Sequence, residues 1–174
     1  MRQSTRVDPS GYDALVLQGG GCRCFFTLGF LQAAAPALSG VKQIAAVSAS
    51  TAMACAHLLG NHREALEIFA DRVRENRGNF HIGRLLRGQI PMPHYDMYRD
   101  ALLQALAGEG FARIKSHPTR LRLAVSRVPS QSVAVAIGLG ALFVLRQQTP
   151  PFLHMTVIEA RDLDSAPALA DAVL

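Results

Sequence analysis

The sequence predicts a three-layer α/β/α fold with a mainly parallel sheet, and three observations support this. A short apolar strand pattern at residues 12–18 runs into the three glycines at 19–21. A predicted helix at 22–38 separates it from a second apolar strand at 43–47. An Ala-rich helix follows directly and ends near Leu59. The order strand, helix, strand implies a parallel right-handed crossover, which brings both strand carboxyl ends to one edge of the sheet. We therefore expect a site at that edge.

The rest of the chain continues the alternation of helices and strands. Apolar periodicity and turn residues predict helices at 63–76, 96–106 and 133–145, strands at 121–128 and 154–160, and a last helix that reaches Val173. Asp96 and Ser165 are the expected N-caps of two of these helices. Residues 78–94 contain Gly, Pro and His and are predicted to form a connector. The apolar segment 133–145 suits a buried helix best, with an interfacial segment as the alternative. This segment and the connector are the candidates for a surface that meets lipid.

The composition fits one domain. The chain has 174 residues, 49% of them hydrophobic, so we predict a polar tail at 1–11 and a single domain over 12–174. The net charge of +5 and the pI of about 9.6 favour anionic surfaces such as phospholipid head groups. The arginines are scattered with few aromatic neighbours, which argues against nucleic acid as a partner. We expect peripheral contact with a membrane instead.

The three cysteines favour a reducing compartment. Cys22, Cys24 and Cys55 form an odd set without the spacing of a zinc ribbon or a disulfide framework. The first residues lack the apolar region of a secretory signal. The longest apolar run, 133–145, is shorter than the roughly 20 residues that a membrane-spanning helix needs. The expected location is cytoplasmic, at the periphery of a membrane.

A serine lies at the junction of the second predicted strand and the Ala-rich helix. In the sequence Ala46-Val47-Ser48-Ala49-Ser50, small residues stand two positions to either side of Ser48. Small residues there are typical of the nucleophile elbow, a tight turn that exposes a reactive hydroxyl. Glycine is usual at both positions, so a second interpretation stays open, in which Ser48 only caps the helix. Ser50 and Thr51 are equally suitable caps.

The three glycines form a second candidate element of the site. The sequence Gly19-Gly20-Gly21-Cys22-Arg23 follows the first strand and opens a helix, so its backbone N–H groups point to the same edge as Ser48. Acyl transfer at a serine needs such donors for the oxyanion. A nucleotide-binding α/β module is the alternative, but Cys24 stands where its glycine pattern needs a third glycine. The acidic residue expected after the second strand is absent as well.

The segments 17–23 and 47–49 together resemble the patatin-like phospholipase family. The family carries Gly-Gly-Gly-x-Arg/Lys-Gly, then Gly-x-Ser-x-Gly after one crossover helix, and Asp-Gly-Gly/Ala far downstream. The short separation of the first two motifs is informative, because ordinary α/β-hydrolases place the oxyanion loop much further upstream of the serine. The resemblance spans nearly the whole chain, and residues 164–174 resemble the family helix that precedes the strand of the catalytic aspartate.

The resemblance implies a patatin-like fold and a lipid acyl hydrolase, either a phospholipase or an esterase. Ser48 would attack the ester carbonyl. The amides of Gly20 and Gly21, with Gly19 close by, would stabilise the oxyanion. Arg23 would add positive charge, with an ordinary solvated arginine as the alternative. The resemblance also implies a lipid or phospholipid ester as substrate, no metal and no organic cofactor, and it leaves the oligomeric state open.

The aspartate that activates the serine in this family has no counterpart here. The motif Asp-Gly-Gly/Ala does not occur, because Asp162, Asp164 and Asp171 lack the following small pair. Asp171 also lies in a predicted helix. His57 is more than two helical turns from Ser48 and is not expected to replace the aspartate. We therefore expect a domain truncated before the motif. An inactive lipid-binding fragment of the same family is the alternative function.

Overall fold

The computed structural model describes residues 11–76, 78, 80–88, 94–127 and 154–173. Its centre is one sheet of four strands, in the spatial order β1 (Ala14–Leu17), β2 (Gln43–Ala46), β3 (Arg120–Arg127) and β4 (His154–Glu159). The pairs β1–β2 and β2–β3 are parallel, and β4 runs antiparallel to β3. The prediction of an α/β fold with a mainly parallel sheet is therefore confirmed, and the last strand adds one antiparallel pair.

The helices of the described residues follow the predicted order. They are α1 (Cys24–Ala34), α2 (Ala49–Leu59), α3 (His62–Glu75), α4 (Ile82–Leu85), α5 (His94–Ala105), α6 (Gly110–Ser116) and α7 (Ala166–Val173), with single 3-10 turns at Gly21–Arg23 and Ala160–Asp162. The sequence did not predict α4, which lies within the expected connector, or α6. The predicted helix at 133–145 lies outside the described residues.

One of the two predicted helix caps is present. Ser165 Oγ accepts a hydrogen bond from the amide of Ala168 at 3.2 Å, as expected of an N-cap. The prediction for Asp96 was wrong, because α5 begins at His94 and places Asp96 in its first turn. There the Asp96 carboxylate pairs with Arg84 of α4, and its charge still favours the helix N-terminus.

Helix α2 lies at the centre of the helical layer. It contacts β1, β2 and β3 on one side and α1, α3, α5 and α6 on the other. Most of its residues are small, which lets these elements approach closely, and Met53 fills the core between them. Burial raises the pKa of the Cys55 thiol to about 12, so this cysteine acts as a small packing residue.

The two faces of the sheet have different surroundings. One face carries Leu17, Ile44 and Leu123, which are buried under the helices. On the other face the side chains of Val16 and Met155 are 76% and 77% exposed. The described residues thus contribute the sheet and one helical layer of the predicted three-layer fold. They place the carboxyl ends of β1 and β2 side by side, where the site was expected.

Two histidines join the end of α2 to the start of α3. His57 Nδ1 and His62 Nε2 lie 3.1 Å apart, and the rings meet edge to face. Burial lowers the pKa of both, and the neighbouring His62 and His117 lower that of His57 further. A hydrogen bond between two imidazoles needs one nitrogen without a proton, so double protonation would break the contact.

This pair predicts a loss of stability in acid. Unfolded histidines bind protons near pH 6.5, whereas the folded pair resists protonation. Below that pH the unfolded state therefore binds more protons, and the free energy of unfolding falls as the pH falls. Urea unfolding at a series of pH values from 7.5 to about 5 measures the decline. We expect the decline in the free energy of unfolding to be smaller in the His62→Gln variant.

The matched control is His81→Gln, which removes an exposed histidine of the connector outside the pair. The decline should persist in this variant. An equal decline in the His62→Gln variant and the unchanged protein would contradict the role of the pair.

Candidate active site

Ser48 has an unusual backbone conformation. It joins β2 to α2 with φ 52° and ψ −134°, and no other residue except glycine has a positive φ within the described ranges. An L-residue adopts this region only when the surrounding structure holds it there, at a cost of about 1–3 kcal/mol. The turn leaves the Ser48 side chain exposed at the edge of the sheet. This is the geometry that a nucleophile elbow requires.

The hydrogen bonds around Ser48 fix this turn from both sides. The Val47 amide donates to the Leu17 carbonyl at 3.1 Å and extends the pairing of β2 with β1. The Thr51 amide donates to the Ser48 carbonyl at 2.8 Å and starts α2. The Ser48 side chain makes no capping hydrogen bond to the helix. The alternative interpretation of Ser48 as a helix cap therefore does not fit the structure.

The glycine turn after β1 lies directly against Ser48. A Cβ atom built on Gly19 would lie 3.3 Å from the Val47 carbonyl oxygen and 3.4 Å from the Cβ of Ser48. A larger residue would push the turn away from the serine, so the glycine permits this close approach. The two segments that the sequence predicted to converge do so at the shared carboxyl edge of β1 and β2.

The next two glycines present free amides at this edge. Gly20 is extended with φ 174°, and Gly21 has a left-handed φ of +56° that favours glycine. Among the described residues the amides of Gly20 and Gly21 donate to no protein acceptor. The 3-10 turn that begins at Gly21 leads straight into α1. Free amides at the start of a helical segment are suited to an oxyanion.

Arg23 lies on the outer side of the glycine turn. Its guanidinium Nε donates to the Gly20 carbonyl at 3.4 Å, and the side chain is exposed. It lines a recess of about 440 Å³ together with Gly19, Gly20 and Phe26. A contribution of Arg23 to the oxyanion site stays a prediction.

A buried contact that the sequence did not predict ties the two site segments together. The Ser50 hydroxyl donates to the Gln18 carbonyl at the end of β1. The Cys24 sulfur lies 3.1 Å from the same hydroxyl oxygen and can donate to it. Ser50 is fully buried and Cys24 nearly so. The first turn of α2 is thereby held against the glycine turn, which keeps Ser48 beside Gly19.

Helix α5 contacts the glycine turn through Tyr98. The Tyr98 hydroxyl lies 3.2 Å from the Cys22 sulfur and borders Gly21. Burial raises the pKa of Tyr98, and the hydrogen bond with Cys22 raises it further, so the phenol stays protonated. Its ring packs against Phe69 of α3 at a centroid distance of 6.2 Å. No local sequence signal marks Tyr98, because it lies 76 residues from Cys22.

Ser48 opens into a cleft of about 480 Å³ between the edge of the sheet and α7. Asp171 of α7 lines the same cleft. Its Oδ1 accepts hydrogen bonds from Arg99 Nε at 2.7 Å and from the Tyr95 hydroxyl at 3.1 Å. The hydrogen bond from Arg99 holds the pKa of Asp171 below its ordinary value. The carboxylate thus shares the cleft with Ser48 but has a lowered affinity for protons.

The other candidate bases lie elsewhere. Strand β4 is antiparallel to its neighbour, so Asp162 and Asp164, which follow it, are at the opposite edge of the sheet from Ser48. His57 lies at the far end of α2. Within the described residues no group of three or more His, Cys, Asp or Glu side chains is placed to hold a metal ion.

The structure thus places an exposed serine at a strained strand-to-helix turn, beside a turn of three glycines. The chain belongs to the patatin-like phospholipase family, whose sequence model matches residues 15–174. Neither the curated proteins nor the solved structures gave a match. No helix among the described residues is long and apolar enough to cross a membrane.

The buried contact of Ser50 predicts a stability difference between two neighbouring substitutions. Ser50→Ala removes the buried hydroxyl that donates to the Gln18 carbonyl and contacts the Cys24 sulfur, so we expect a loss of about 0.5–1.5 kcal/mol in the free energy of unfolding. Within the described part of the chain the Thr51 hydroxyl is buried without a hydrogen-bond partner. Thr51→Val should therefore be neutral or stabilising by up to about 1 kcal/mol. Urea unfolding measures both, and equal losses would contradict the assignment.

Proposed function

We propose that the protein is a lipid acyl hydrolase, a phospholipase or esterase, with Ser48 as its nucleophile. The family match supports hydrolysis of lipids as the general function. The conformation of Ser48 carries the assignment of the nucleophile, because a strained backbone that exposes a single hydroxyl has no packing role in the described structure. The proposal keeps the predicted location, cytoplasmic and peripheral to a membrane.

The proposed reaction is acyl transfer in two steps. Ser48 Oγ bonds to the carbonyl carbon of the ester and gives up its proton, which the departing alcohol finally carries, and the carbonyl oxygen becomes an oxyanion. The free amides of Gly20 and Gly21 donate to this oxyanion, and the start of α2 favours negative charge at the serine. The C–O bond of the ester then breaks, the alcohol leaves with a proton, and an acyl-serine remains. Water releases the fatty acid in the second step.

The lining of the cleft supports an ester with an apolar chain. Its lining includes the apolar side chains of Val47, Val125 and Ile158. Ser126 and Asp171 add polar groups to the same lining. A lipid ester likewise combines an apolar chain with a polar ester end. The proposal assigns no base, because Arg99 and Tyr95 already hold the Asp171 carboxylate.

A fluorophosphonate probe tests the nucleophile. The probe reacts with serines whose hydroxyl is activated, so we expect labelling of the unchanged protein and loss of labelling to background in Ser48→Ala. Ser126→Ala is the matched control, since Ser126 lies in the same cleft on the regular strand β3. Labelling is measured by intact-protein mass spectrometry. Persistent labelling in Ser48→Ala, or absence of labelling in the folded protein, would overturn the assignment.

A second candidate function is lipid binding without turnover. It is favoured by the Arg99 contact to Asp171, which leaves the cleft carboxylate a weak base. Serine hydrolases without their base lose several orders of magnitude in rate. Release of fatty acid from phospholipid vesicles separates the two functions. Many equivalents of product per protein support the hydrolase, whereas binding with less than one equivalent released supports the binding protein.

A further inference from the structure

Helix α1 has an exposed apolar face that begins at the glycine turn. Its inner face buries Cys24, Leu28 and Leu31 against the core. On the outer face Phe26 is 84% exposed and Phe30, one helical turn later, is 49% exposed. A helix that is apolar on both faces is normally buried on both. The outer face of α1 is therefore unpartnered in the described structure, and two aromatic rings stand on it.

Helix α1 and the loop that follows it carry no acidic side chain. No charged side chain occurs between Arg23 and Lys42 in the sequence. Arg23 is exposed at the start of the face, next to Phe26, and the protein as a whole carries a net charge of +5. The combination of aromatic rings with a flanking arginine is suited to an interface of apolar chains and anionic head groups.

The position of Phe26 limits what can occupy this face. Phe26 lines the same recess as Gly19 and Gly20, and Gly19 adjoins Ser48. A protein partner or a second copy of the chain bound there would cover the proposed oxyanion site. A lipid surface would instead deliver the ester to it. Arg23 also lines this recess, so a head-group phosphate bound there would lie within reach of the guanidinium.

We infer that the outer face of α1, formed by Phe26 and Phe30 with Arg23 at its start, docks the protein on an anionic phospholipid bilayer. This inference rests on the proposed function, because it takes the glycine turn as the place that must meet the lipid. Phe26 and Phe30 enter the region between head groups and acyl chains. Arg23 pairs with a head-group phosphate and thereby orients the glycine turn toward the membrane surface.

Co-sedimentation with vesicles of phosphatidylglycerol and phosphatidylcholine in equal parts tests the inference. All variants are made in the Ser48→Ala background, so that binding is measured without reaction. The double substitution Phe26→Ser with Phe30→Ser should weaken binding by at least about tenfold, because two aromatic side chains no longer leave water. Phe26→Ser alone should also weaken vesicle binding, which keeps the test valid if the double variant is unstable.

The matched control is Leu66→Ser, which removes an exposed apolar side chain of α3. We expect its binding to stay within about twofold of the parent. Arg23→Gln should weaken binding to the mixed vesicles by about fivefold and leave binding to pure phosphatidylcholine unchanged. Thermal unfolding of each variant checks that the fold is intact.

Three outcomes would overturn the inference. Binding that is unchanged in the double variant would exclude the α1 face. Binding that is lost instead in Ile82→Ser with Leu86→Ser would place the contact on α4 and the residue that follows it, where both of these apolar side chains are exposed. A loss of self-association without a loss of vesicle binding would make α1 an interface between copies. If Ser48 proves unreactive while binding depends on Phe26, the docking surface stands and the proposed hydrolase does not.

Discussion

The positive φ of Ser48 is the constraint on which the rest of the site depends. This conformation costs about 1–3 kcal/mol and persists only between two fixed elements. On one side Val47 continues the pairing of β2 with β1, and on the other side the Ser48 carbonyl accepts the first hydrogen bond of α2. Because neither flank can move without breaking these bonds, the hydroxyl stays exposed above the start of a helix. The strained backbone conformation of Ser48 therefore determines where its hydroxyl lies.

Helix α2 links the conformation of Ser48 to the packing of the whole domain. It is buried between the sheet and the other helices, so its direction is fixed by packing along its length. Its first turn is tied to the end of β1 through Ser50 and Gln18, which sets the separation between Ser48 and the glycine turn. The small residues of α2 permit this packing, since larger ones would move the helix away from the strands. The contacts that bury α2 in the core therefore also hold Ser48 beside the glycine turn.

The sequence predicted the parts of the fold that depend on local patterns. The crossover from β1 to β2, the serine turn and the Ser165 cap each rest on residues a few positions apart, whose preferences act in the unfolded chain as well. The contact of Ser50 with Gln18 and the contact of Asp171 with Arg99 span 32 and 72 residues, and only tertiary packing brings them together. The start of α5 was misplaced for the same reason, because Asp96 resembles a cap locally but pairs with Arg84 in the fold.

A crystal structure of the protein after reaction with a lipid phosphonate tests the account most directly. The phosphorus should be bonded to Ser48 Oγ, with the phosphonyl oxygen at about 2.7–3.1 Å from the amide nitrogens of Gly20 and Gly21. The backbone of Ser48 should keep its positive φ in the adduct. An adduct whose phosphonyl oxygen points toward Asp171, with neither glycine amide within hydrogen-bond distance, would contradict the account.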